Sequence, residues 1–461
     1  MRLLTLVVAS ALFLESLVST VIATSLAPMA VDLGVDPVTL KLAFTAYYVA
    51  LAIFIPISGW CADRYGARTV FRAAIAVFTL ASVACALAWD LSSLVAGRFL
   101  QGVGGAMMLP VGRLILLRVI PRHDMVRAMA WMSIPALFAP VMGPPVGGFI
   151  TTFYHWRGIF WLNVPVGIVA FVLATLVVPQ VKAEVSRPLD LKGFALTSLG
   201  LSLSIFGFTL AGSSTQEVAL AVEMTVVGVV LLLLYGRHAR RTEHPIIQLR
   251  LMRIPTFRIA MLAGVLFRLS TGAIPFLLPL MLQVGFGMNA FESGSLTFAS
   301  AVGAMFMKVT AAPILRQFGF RAVLVVNALL SSGLLGLCAL FTSATPGALI
   351  IVVLLTGGFF RSLQFTSLNT LCYADVPTED LSLATSFVNV VQQLALSSGV
   401  AVAAMVLDGL RIAEGRTELV ARDFQVAFVV IGVIAAVSAV MFLRLRPDAG
   451  ADVSGHRRSA L

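Results

Sequence analysis

Long apolar runs separated by short polar segments occupy most of this chain as far as residue 443. Each run is roughly 20 residues long and continuous, as in a membrane-crossing helix, and lacks the alternation typical of barrel strands. The pattern predicts fourteen transmembrane helices, at residues 3–28, 40–60, 69–89, 92–117, 127–152, 158–178, 191–211, 217–235, 257–283, 291–313, 321–342, 347–372, 382–407 and 423–443. The predicted fold class is therefore an all-α polytopic membrane protein.

Composition supports the prediction of a membrane protein, and it changes what the positive net charge indicates. Hydrophobic residues make up 59% of the 461, charged residues only 11%, and the mean hydropathy is +0.99. Soluble domains carry about 25% charged residues, so lipid is the expected solvent. A net charge of +11 would suggest nucleic acid in a soluble protein. Here the basic residues cluster at the ends of spans, which indicates membrane orientation and excludes nucleic acid as the expected partner.

The positive charges indicate which side of the membrane each loop lies on. The basic residues fall in alternate loops, and the loops between these contain few of them. The acidic loop 374–381 is an exception, because this alternation predicts a basic loop there. The basic loops contain Arg64, Arg68, Arg72, Arg118, Arg122, Arg127, Lys182, Arg187, Lys192, Arg237, Arg240, Arg241, Arg250, Arg253, Arg316 and Arg321. Because basic loops stay in the cytoplasm, both termini are predicted to be cytoplasmic.

An internal repeat predicts two equivalent halves. Ala312–Arg321 echoes Gly59–Arg68, and the segment Arg98–Gln101 in the fourth span is echoed by Arg361–Gln364 in the twelfth. Two spans are left over between the halves. The predicted organisation is a six-helix half at 1–178, a linker with two extra helices at 179–256, a second six-helix half at 257–443 and a cytoplasmic tail at 444–461.

The segment Gly59–Arg68, GWCADRYGAR, joins the second and third spans. It predicts a tight charged turn, in which Gly59 and Gly66 allow close backbone approach and Asp63 precedes the N-terminus of the next helix. Asp63, Arg64 and Arg68 supply its charges. The spacing G-x-x-x-D-R-x-G-x-R resembles the signature of the major facilitator superfamily of transporters. A plain solvated turn is the alternative interpretation.

Further motifs resemble one branch of that superfamily, the fourteen-span drug:proton antiporters of the EmrB/QacA type, and within it a group of multidrug-resistance proteins. They are AGRFLQGVGGA at 96–106, APVMGPPVGG at 139–148, WRGIFWLNVPVG at 156–167 and HPIIQLRLMRIPTF at 244–257. The likeness covers essentially the whole chain. It implies the major facilitator fold, with two inserted helices between the halves.

The resemblance also implies a gating role for two motifs. In the family, the loop at 59–68 helps to hold the cytoplasmic ends of the halves together. In the fifth span, Pro144 disrupts the helical ladder, while Gly143, Gly147 and Gly148 permit close helix packing. A bend that seals a rocking interface is the family interpretation. Ordinary packing of small residues is the alternative.

Charges at membrane depth are costly and often mark a transport pathway. At 1.5 Å per residue, Glu15, Arg268 and Arg361 lie about 17–21 Å into their predicted spans, and Arg98 about 9 Å. The family's cavity is lined by the first helix of each three-helix repeat, and these four residues lie on those helices. Lys308 is a fifth candidate. Alternatively, these charges pair with one another or with backbone carbonyls and lock helices together.

Glu15 departs from the family pattern. Related sequences generally read L-D-x-T near this point, whereas this chain has Leu17-Val18-Ser19-Thr20 and lacks that acid. Glu15 lies three residues before Val18, on the same helix face, so it could replace the missing group. We therefore expect Glu15 to carry the coupling proton, with Arg98 as a charge that opposes its protonation if the two are close.

The charges lining the expected cavity suggest the substrate. Three arginines against one glutamate leave a net positive lining, and arginine favours carboxylate or phosphate. Two substrate classes are therefore expected with nearly equal weight. One is an organic anion such as citrate, or its metal chelate, and the other is a drug-like compound held by Phe267, Phe359 and Phe360. The expected substrate-binding residues are Arg268, Arg361, Gln101, Gln364, Lys308 and Asn389. For the neutral amides, interhelical packing is an equal alternative.

These observations favour a secondary active exporter in a bacterial inner membrane, which exchanges a small molecule for protons by alternating access. The sequence shows no P-loop, so we expect a proton gradient as the energy source and no cofactor. No catalytic residues and no metal ligands are expected, since the five histidines lie in loops or tails and the four cysteines have no paired spacing. A proton-coupled uptake symporter and a non-transporting membrane sensor are the alternatives. The oligomeric state is open, with a monomer among the alternatives.

Overall fold

The computed structural model describes residues 2–120, 125–182, 188–210, 215–242, 245–377, 380–454 and 456. Within these ranges the regular structure is entirely helical. The helices are α1 (Arg2–Val21), α2 (Leu26–Leu33), α3 (Lys41–Tyr65), α4 (Ala67–Ala86), α5 (Leu91–Val119), α6 (Met125–Phe153), α7 (Gly158–Trp161), α8 (Asn163–Val177), α9 (Leu191–Leu210), α10 (Thr215–Ala239), α11 (Pro255–Leu280), α12 (Ala290–Cys338), α13 (Gly347–Ala374), α14 (Leu381–Ala413), α15 (Ala421–Phe442) and α16 (Ala451–Ser454). The predicted all-α fold class is confirmed.

Twelve helical segments in the described ranges are long and apolar enough to cross a membrane. Helix also covers the other two predicted spans, as α6 and as the first part of α12. The total of fourteen spans and the cytoplasmic position of the termini remain predictions. Arg122, Arg187 and the last five residues, 457–461, lie outside the described residues.

Gly319 interrupts α12 with a backbone conformation that is not helical, at φ 71° and ψ 165°. Gly66, its counterpart in the predicted repeat, has φ +91° and separates α3 from α4. Residues with a Cβ rarely adopt a positive φ, so glycine is the residue suited to both positions. The repeated motif therefore corresponds to a repeated helix–glycine–helix joint.

The chain forms two compact units. The first consists of Met1–Leu210, Ala219–Ile246 and Asn289–Gly294, and the second of Ala211–Val218, Ile247–Met288 and Ser295–Leu461. The domain boundaries expected from the sequence remain predictions.

In the first unit, α5 packs against α3 and α4, and α1 packs against α6. Two glycines of the fourth-span motif make the α5 contacts close. A Cβ on Gly102 would lie 2.6 Å from the Ala50 Cβ, and one on Gly104 would lie 2.7 Å from the Phe78 backbone nitrogen. Small residues let membrane helices approach closely where no hydrophobic effect drives them together. The motif thereby sets the position of Arg98, on the same helix.

In the second unit, α11 is the central helix and packs against α13, α14 and α15. Its buried aromatic side chains, Phe257, Phe267 and Phe276, are each at most 1% exposed. A Cβ on Gly399 of α14 would lie 2.9 Å from the backbone nitrogen of Ala273, so α11 and α14 are in close contact.

Polar side chains fix the N-terminal ends of two spans. The Asp90 side chain caps α5 by accepting a hydrogen bond from the Ser93 backbone at 2.8 Å, and hydrogen bonds from Ser93 lower the pKa of this carboxyl group. Ahead of α15, Arg416 binds the Asp423 carboxylate at 2.7 Å, and this hydrogen-bonded contact raises the pKa of the arginine. Both ends are therefore held by local charge.

Candidate functional site

The buried polar cluster of the first unit is centred on Arg98, which is only 1% exposed. Its Nη1 donates to Gln101 Oε1 at 2.5 Å, and Gln101 Nε2 donates to Ser82 Oγ at 2.8 Å. The guanidinium carbon lies 4.4 Å from the centre of the Tyr47 ring, a cation–π contact. Arg98 is thus enclosed by protein rather than extended toward a membrane surface.

Glu15 is half-buried on α1 and faces α5 at Gly105. A Cβ on Gly105 would lie 3.6 Å from Glu15 Cγ and 3.3 Å from the Tyr47 hydroxyl oxygen. The carboxylate and the phenol therefore share the space left by one glycine. The Tyr47 side chain is 1% exposed and its hydroxyl has no hydrogen-bond partner, so a buried donor points into this space.

Sequence reasoning missed Tyr47, which is buried in this cluster, and Arg113, which is exposed on α5. Arg113, on α5, is the cation whose charge acts on Glu15. The predicted partner of Glu15 was Arg98, whose hydrogen bonds go instead to Gln101 and the Ala43 carbonyl. Arg113 could have been recognised from the sequence, because it is also a charged residue within the fourth predicted span. Tyr47 gave no such signal, since a tyrosine in an apolar run is ordinary.

Three cations in the second unit lack a carboxylate partner among the described residues. Arg268 is fully buried, and its Nη2 donates to Asn369 Oδ1 at 2.7 Å. Arg361 donates to Ser300 Oγ, and Lys308, which is exposed, donates to Thr366 Oγ1 at 2.8 Å. All three partners are neutral side chains on other helices, so these cations join helices without forming ion pairs. Whether their main role is to bind substrate or to hold the helices together stays a prediction.

These three cations all meet α13. Arg361 is part of that helix, Lys308 binds Thr366, and Arg268 binds Asn369. Residues 361–369 span about 12 Å of helix, the size of a small molecule with several charged groups. In the sequence 257–374 the only acidic residue is Glu292, near the start of α12. The positive charge along α13 is therefore not neutralised within these helices.

Arg268 also retains unused hydrogen-bonding capacity. Its Nε and Nη1 atoms are buried and have no partner, although a guanidinium group carries five N–H donors. Buried unpaired donors are costly, and in native structures they often indicate a ligand or a functional site. This is the strongest indication of a binding site in the second unit.

The amide side chains predicted to bind substrate differ in how far they are buried and hydrogen-bonded within the protein. Gln101 and Gln364 are both fully buried. Gln364 accepts from Asn327 at 2.9 Å and donates to the Leu324 carbonyl at 3.1 Å. Both glutamines thus make interhelical hydrogen bonds, as in the packing alternative. Asn389 lies half-buried on α14.

The charged segment Gly59–Arg68 is not the loop that the sequence predicted. Helix α3 continues to Tyr65 and α4 begins at Ala67, so Gly59 and Asp63 are both helical. Asp63 lies in the last turn of α3 and binds Arg118, at the end of α5, at 2.6 Å. The prediction that Asp63 lies in a turn ahead of the next helix is wrong, because a single glycine is enough to reverse the chain.

Gly66 is the residue that closes this joint, while Arg64 on α3 is exposed and Arg68 donates to the Thr175 carbonyl. A Cβ on Gly66 would lie 2.7 Å from Gln180 Cδ. The prediction of close approach is confirmed at Gly66. At Gly59 it is wrong, because a Cβ there would meet nothing within 4 Å.

We expect Gly66→Ala to destabilise the protein and Gly59→Ala to leave it unchanged or slightly more stable. The first substitution combines a strained positive φ, which costs about 1–3 kcal/mol, with a clash at Gln180. The second replaces a helical glycine, which favours folding by about 0.5–1 kcal/mol. Thermal unfolding of the purified variants in detergent measures both. Equal melting temperatures for the two variants would contradict this account. The double variant Gly66→Ala, Gln180→Ala removes the clash and leaves the backbone strain, so it separates the two effects.

The fifth-span glycines pack α6 against α1. A Cβ on Gly143 would lie 2.8 Å from Thr20 Cβ, and one on Gly147 would lie 2.6 Å from the Val21 carbonyl oxygen. Gly148 and Pro144 lie on the same helix, which is continuous through the proline. The predicted close packing is confirmed, while a gating role remains a prediction.

Comparison with known proteins identifies the class. The sequence pattern of the Major Facilitator Superfamily matches residues 8–400 and 260–460. The chain belongs to this superfamily of membrane transporters, and the predicted multi-pass membrane protein is confirmed.

Relatives in sequence narrow the family. Proteins named multidrug resistance protein MdtD from Salmonella heidelberg (strain SL476) and Salmonella paratyphi A (strain ATCC 9150 / SARB42) are each 35% identical over 98% of this chain and 96% of their own length. The resemblance to multidrug-resistance proteins is thus confirmed at the level of sequence.

Solved structures show the same fold at low identity. A D-xylose–proton symporter superposes with a TM-score of 0.70 at 14% identity, covering 97% of this chain and 98% of its own. The human organic anion transporter MFSD10 superposes with a TM-score of 0.60 at 14% identity, covering 96% and 99%.

Proposed function

We propose that this protein is a secondary active transporter that exports a small organic anion across a bacterial inner membrane in exchange for protons. Alternating access of fourteen spans with cytoplasmic termini would carry the exchange, powered by the proton gradient and without a cofactor. The observation that carries the proposal is the buried Arg268 guanidinium, which has no carboxylate partner and two unpaired nitrogen atoms.

The cations along α13 support an anionic substrate. A buried charge is tolerated when a partner of opposite charge is bound, and an arginine fork suits a carboxylate. A di- or tricarboxylate such as citrate could contact Arg268 and Arg361 together, with Lys308 at the exposed end. Asn389 is proposed as a neutral contact, whereas Gln101 and Gln364 are proposed to position the neighbouring arginines.

Glu15 supports proton coupling. It is the only acidic residue in the interior of the twelve spans predicted for the two halves. A carboxyl group can enter an apolar environment in its neutral form and lose the proton when a cation comes close. Arg113 provides such a charge, and the Tyr47 hydroxyl is positioned to donate to the ionised form. Arg98 is proposed to hold the Tyr47 ring by its cation–π contact.

The gating residues are proposed to act as two devices. The Asp63–Arg118 pair and the joint at Gly66 and Arg68 hold one end of the first unit, together with Gly59 and Arg64 of the same motif. Gly143 and Gly147, beside Pro144, give α6 and α1 a close surface along which they can shift, while Gly148 faces Ala290 at the start of α12.

The name of the MdtD relatives favours a second candidate, a drug-like substrate. Phe359 and Phe360 have ring centroids 5.4 Å apart, and Phe267 and Arg361 line a common small cavity. An apolar drug would use these rings instead of the arginines. Uptake by symport differs from export only in the direction of the coupled flux, and a membrane sensor would show no flux.

Proton flux into liposomes tests these candidates. Purified protein is reconstituted with a pH-sensitive dye inside and an inward proton gradient, and citrate is added in one trial and ethidium in another. We expect flux with citrate. Flux with ethidium alone would overturn the anion proposal, and flux with neither would leave the protein without support as a transporter of either class.

A further inference from the structure

A cleft of about 420 Å³ lies between the start of α11 and the end of α15. Both helices are candidate membrane spans, at Pro255–Gly285 and Ala421–Phe442. The cleft is lined by Thr256, Arg258 and residues 444–446, which flank these span ends. It therefore lies at the level where the apolar interior of a bilayer meets its headgroups.

Three arginines line this cleft: Arg258, Arg444 and Arg446. All are exposed, and none has a carboxylate within 4 Å among the described residues. Several other arginines of this unit are paired, as Arg250 is with Asp380 at 2.6 Å and Arg416 with Asp423 at 2.7 Å. The cleft thus presents unpaired positive charge in a part of the molecule where carboxylates are available to other arginines.

One carboxylate, Asp375, also lines the cleft. It accepts a hydrogen bond from the Thr256 hydroxyl at 2.7 Å, which holds it at the wall formed by α11. The formal charge of the lining remains positive, since three arginines face one aspartate.

Another part of the cleft wall is apolar. Ile259 and Leu262 lie one and two turns into α11, and Met441 lies in the last turn of α15. Leu262 is 47% exposed, so the wall is open to the surrounding lipid. The cleft therefore has basic side chains beside an apolar wall, and an amphiphile has the same two parts.

We propose that this cleft binds an anionic phospholipid, whose phosphate contacts the three arginines and whose acyl chain lies on Ile259 and Leu262. Arginine binds phosphate oxygens by paired hydrogen bonds, and basic residues at a membrane surface attract anionic lipids. Free phosphate could use the arginines but would leave the apolar wall without a partner. The site is independent of the proposed transport function, although α11 also carries Arg268.

Native mass spectrometry of the full-length protein in detergent tests the proposal. The protein is titrated with dioleoyl phosphatidylglycerol and, separately, with dioleoyl phosphatidylcholine. We expect tighter binding of phosphatidylglycerol, and a loss of about tenfold or more in the triple variant Arg258→Gln, Arg444→Gln, Arg446→Gln. The matched control is Arg253→Gln, an exposed arginine near the same helix end that does not line the cleft; it should bind as the wild type does.

Two further arms separate lipid from other anions. Leu262→Trp fills the apolar wall and should weaken phosphatidylglycerol without affecting the binding of inorganic phosphate. Equal binding of the two lipids, or an unchanged triple variant, would overturn the proposal. So would displacement of phosphatidylglycerol by millimolar inorganic phosphate with no effect of Leu262→Trp, because the site would then recognise phosphate alone. Melting temperatures of the variants establish that each is folded.

Discussion

Glu15→Gln is expected to reduce proton-driven transport in liposomes to the level of protein-free liposomes, while leaving substrate binding intact. Glutamine has nearly the same size as glutamate but cannot take up and release a proton. In the interior of the twelve spans that the sequence predicts for the two halves there is no second acid to replace it. The measurement is the rate of dye acidification after substrate is added under an inward proton gradient.

Exchange of labelled for unlabelled substrate, with no gradient, is the internal control for this variant. It requires binding and alternating access but no net proton movement, so it should persist. Unchanged proton-driven transport in Glu15→Gln would exclude Glu15 as the coupling residue. Loss of both activities together with a lower melting temperature would instead indicate a structural role.

Tyr47→Phe extends this test to the neighbour of Glu15. Because the hydroxyl is buried beside Gly105 without a partner, its removal should cost little stability. We expect it to shift the pH dependence of proton-driven transport, since the ionised carboxylate loses a donor. Tyr48→Phe is the matched control, as the adjacent ring packs edge-on against Tyr47 with centroids 5.9 Å apart.

Arg268→Gln is expected to weaken anion transport strongly without destabilising the protein. Hydrogen bonds to charged groups contribute about 1.5–3 kcal/mol, so the apparent affinity for citrate should fall by about tenfold to a hundredfold. The melting temperature should stay the same or rise, because the substitution removes a fully buried charge that has no partner of opposite sign.

The combination of effects is what distinguishes a substrate site from a structural lock. If Arg268 mainly holds α11 to α13 through Asn369, the variant should melt at a lower temperature and lose transport of all substrates equally. Arg268→Lys keeps the charge and should recover part of the affinity. Arg422→Gln, which removes an arginine with a 76% exposed side chain, is the matched control and should leave citrate transport unchanged.

The charges within apolar runs could be recognised from the sequence, but their partners could not. Arg98 and Gln101 are close in sequence on one helix, so their hydrogen bond was within reach of a periodicity argument. The contact between Arg98 and Tyr47 joins residues of different helices, and so does that between Arg268 and Asn369. Such contacts depend on which helices are neighbours and how each is rotated about its axis.

The glycines also show what can be predicted from the sequence and what requires the structure. The motif at 59–68 correctly marks a joint, yet Gly59 and Gly66 look equivalent in the sequence. Only Gly66 has a positive φ and a neighbour that excludes a Cβ, because the segment after α8 passes beside it. The assignment of Asp63 to a turn failed for a related reason, since a helix can continue through polar residues when a distant partner such as Arg118 pairs with the charge.

The sequence by itself determined that this protein is helical and crosses a membrane many times, because the length and hydropathy of each apolar run are local properties that decide whether it crosses a bilayer. The expectation of transport came from the resemblance of its motifs to a transporter family. It also determined which membrane-depth charges are unusual. Only the tertiary structure decided that Glu15 and Tyr47 share the space beside Gly105, and that the cations along α13 have neutral partners. Those facts follow from packing between segments far apart in the chain, where side-chain geometry and not hydropathy selects the contact.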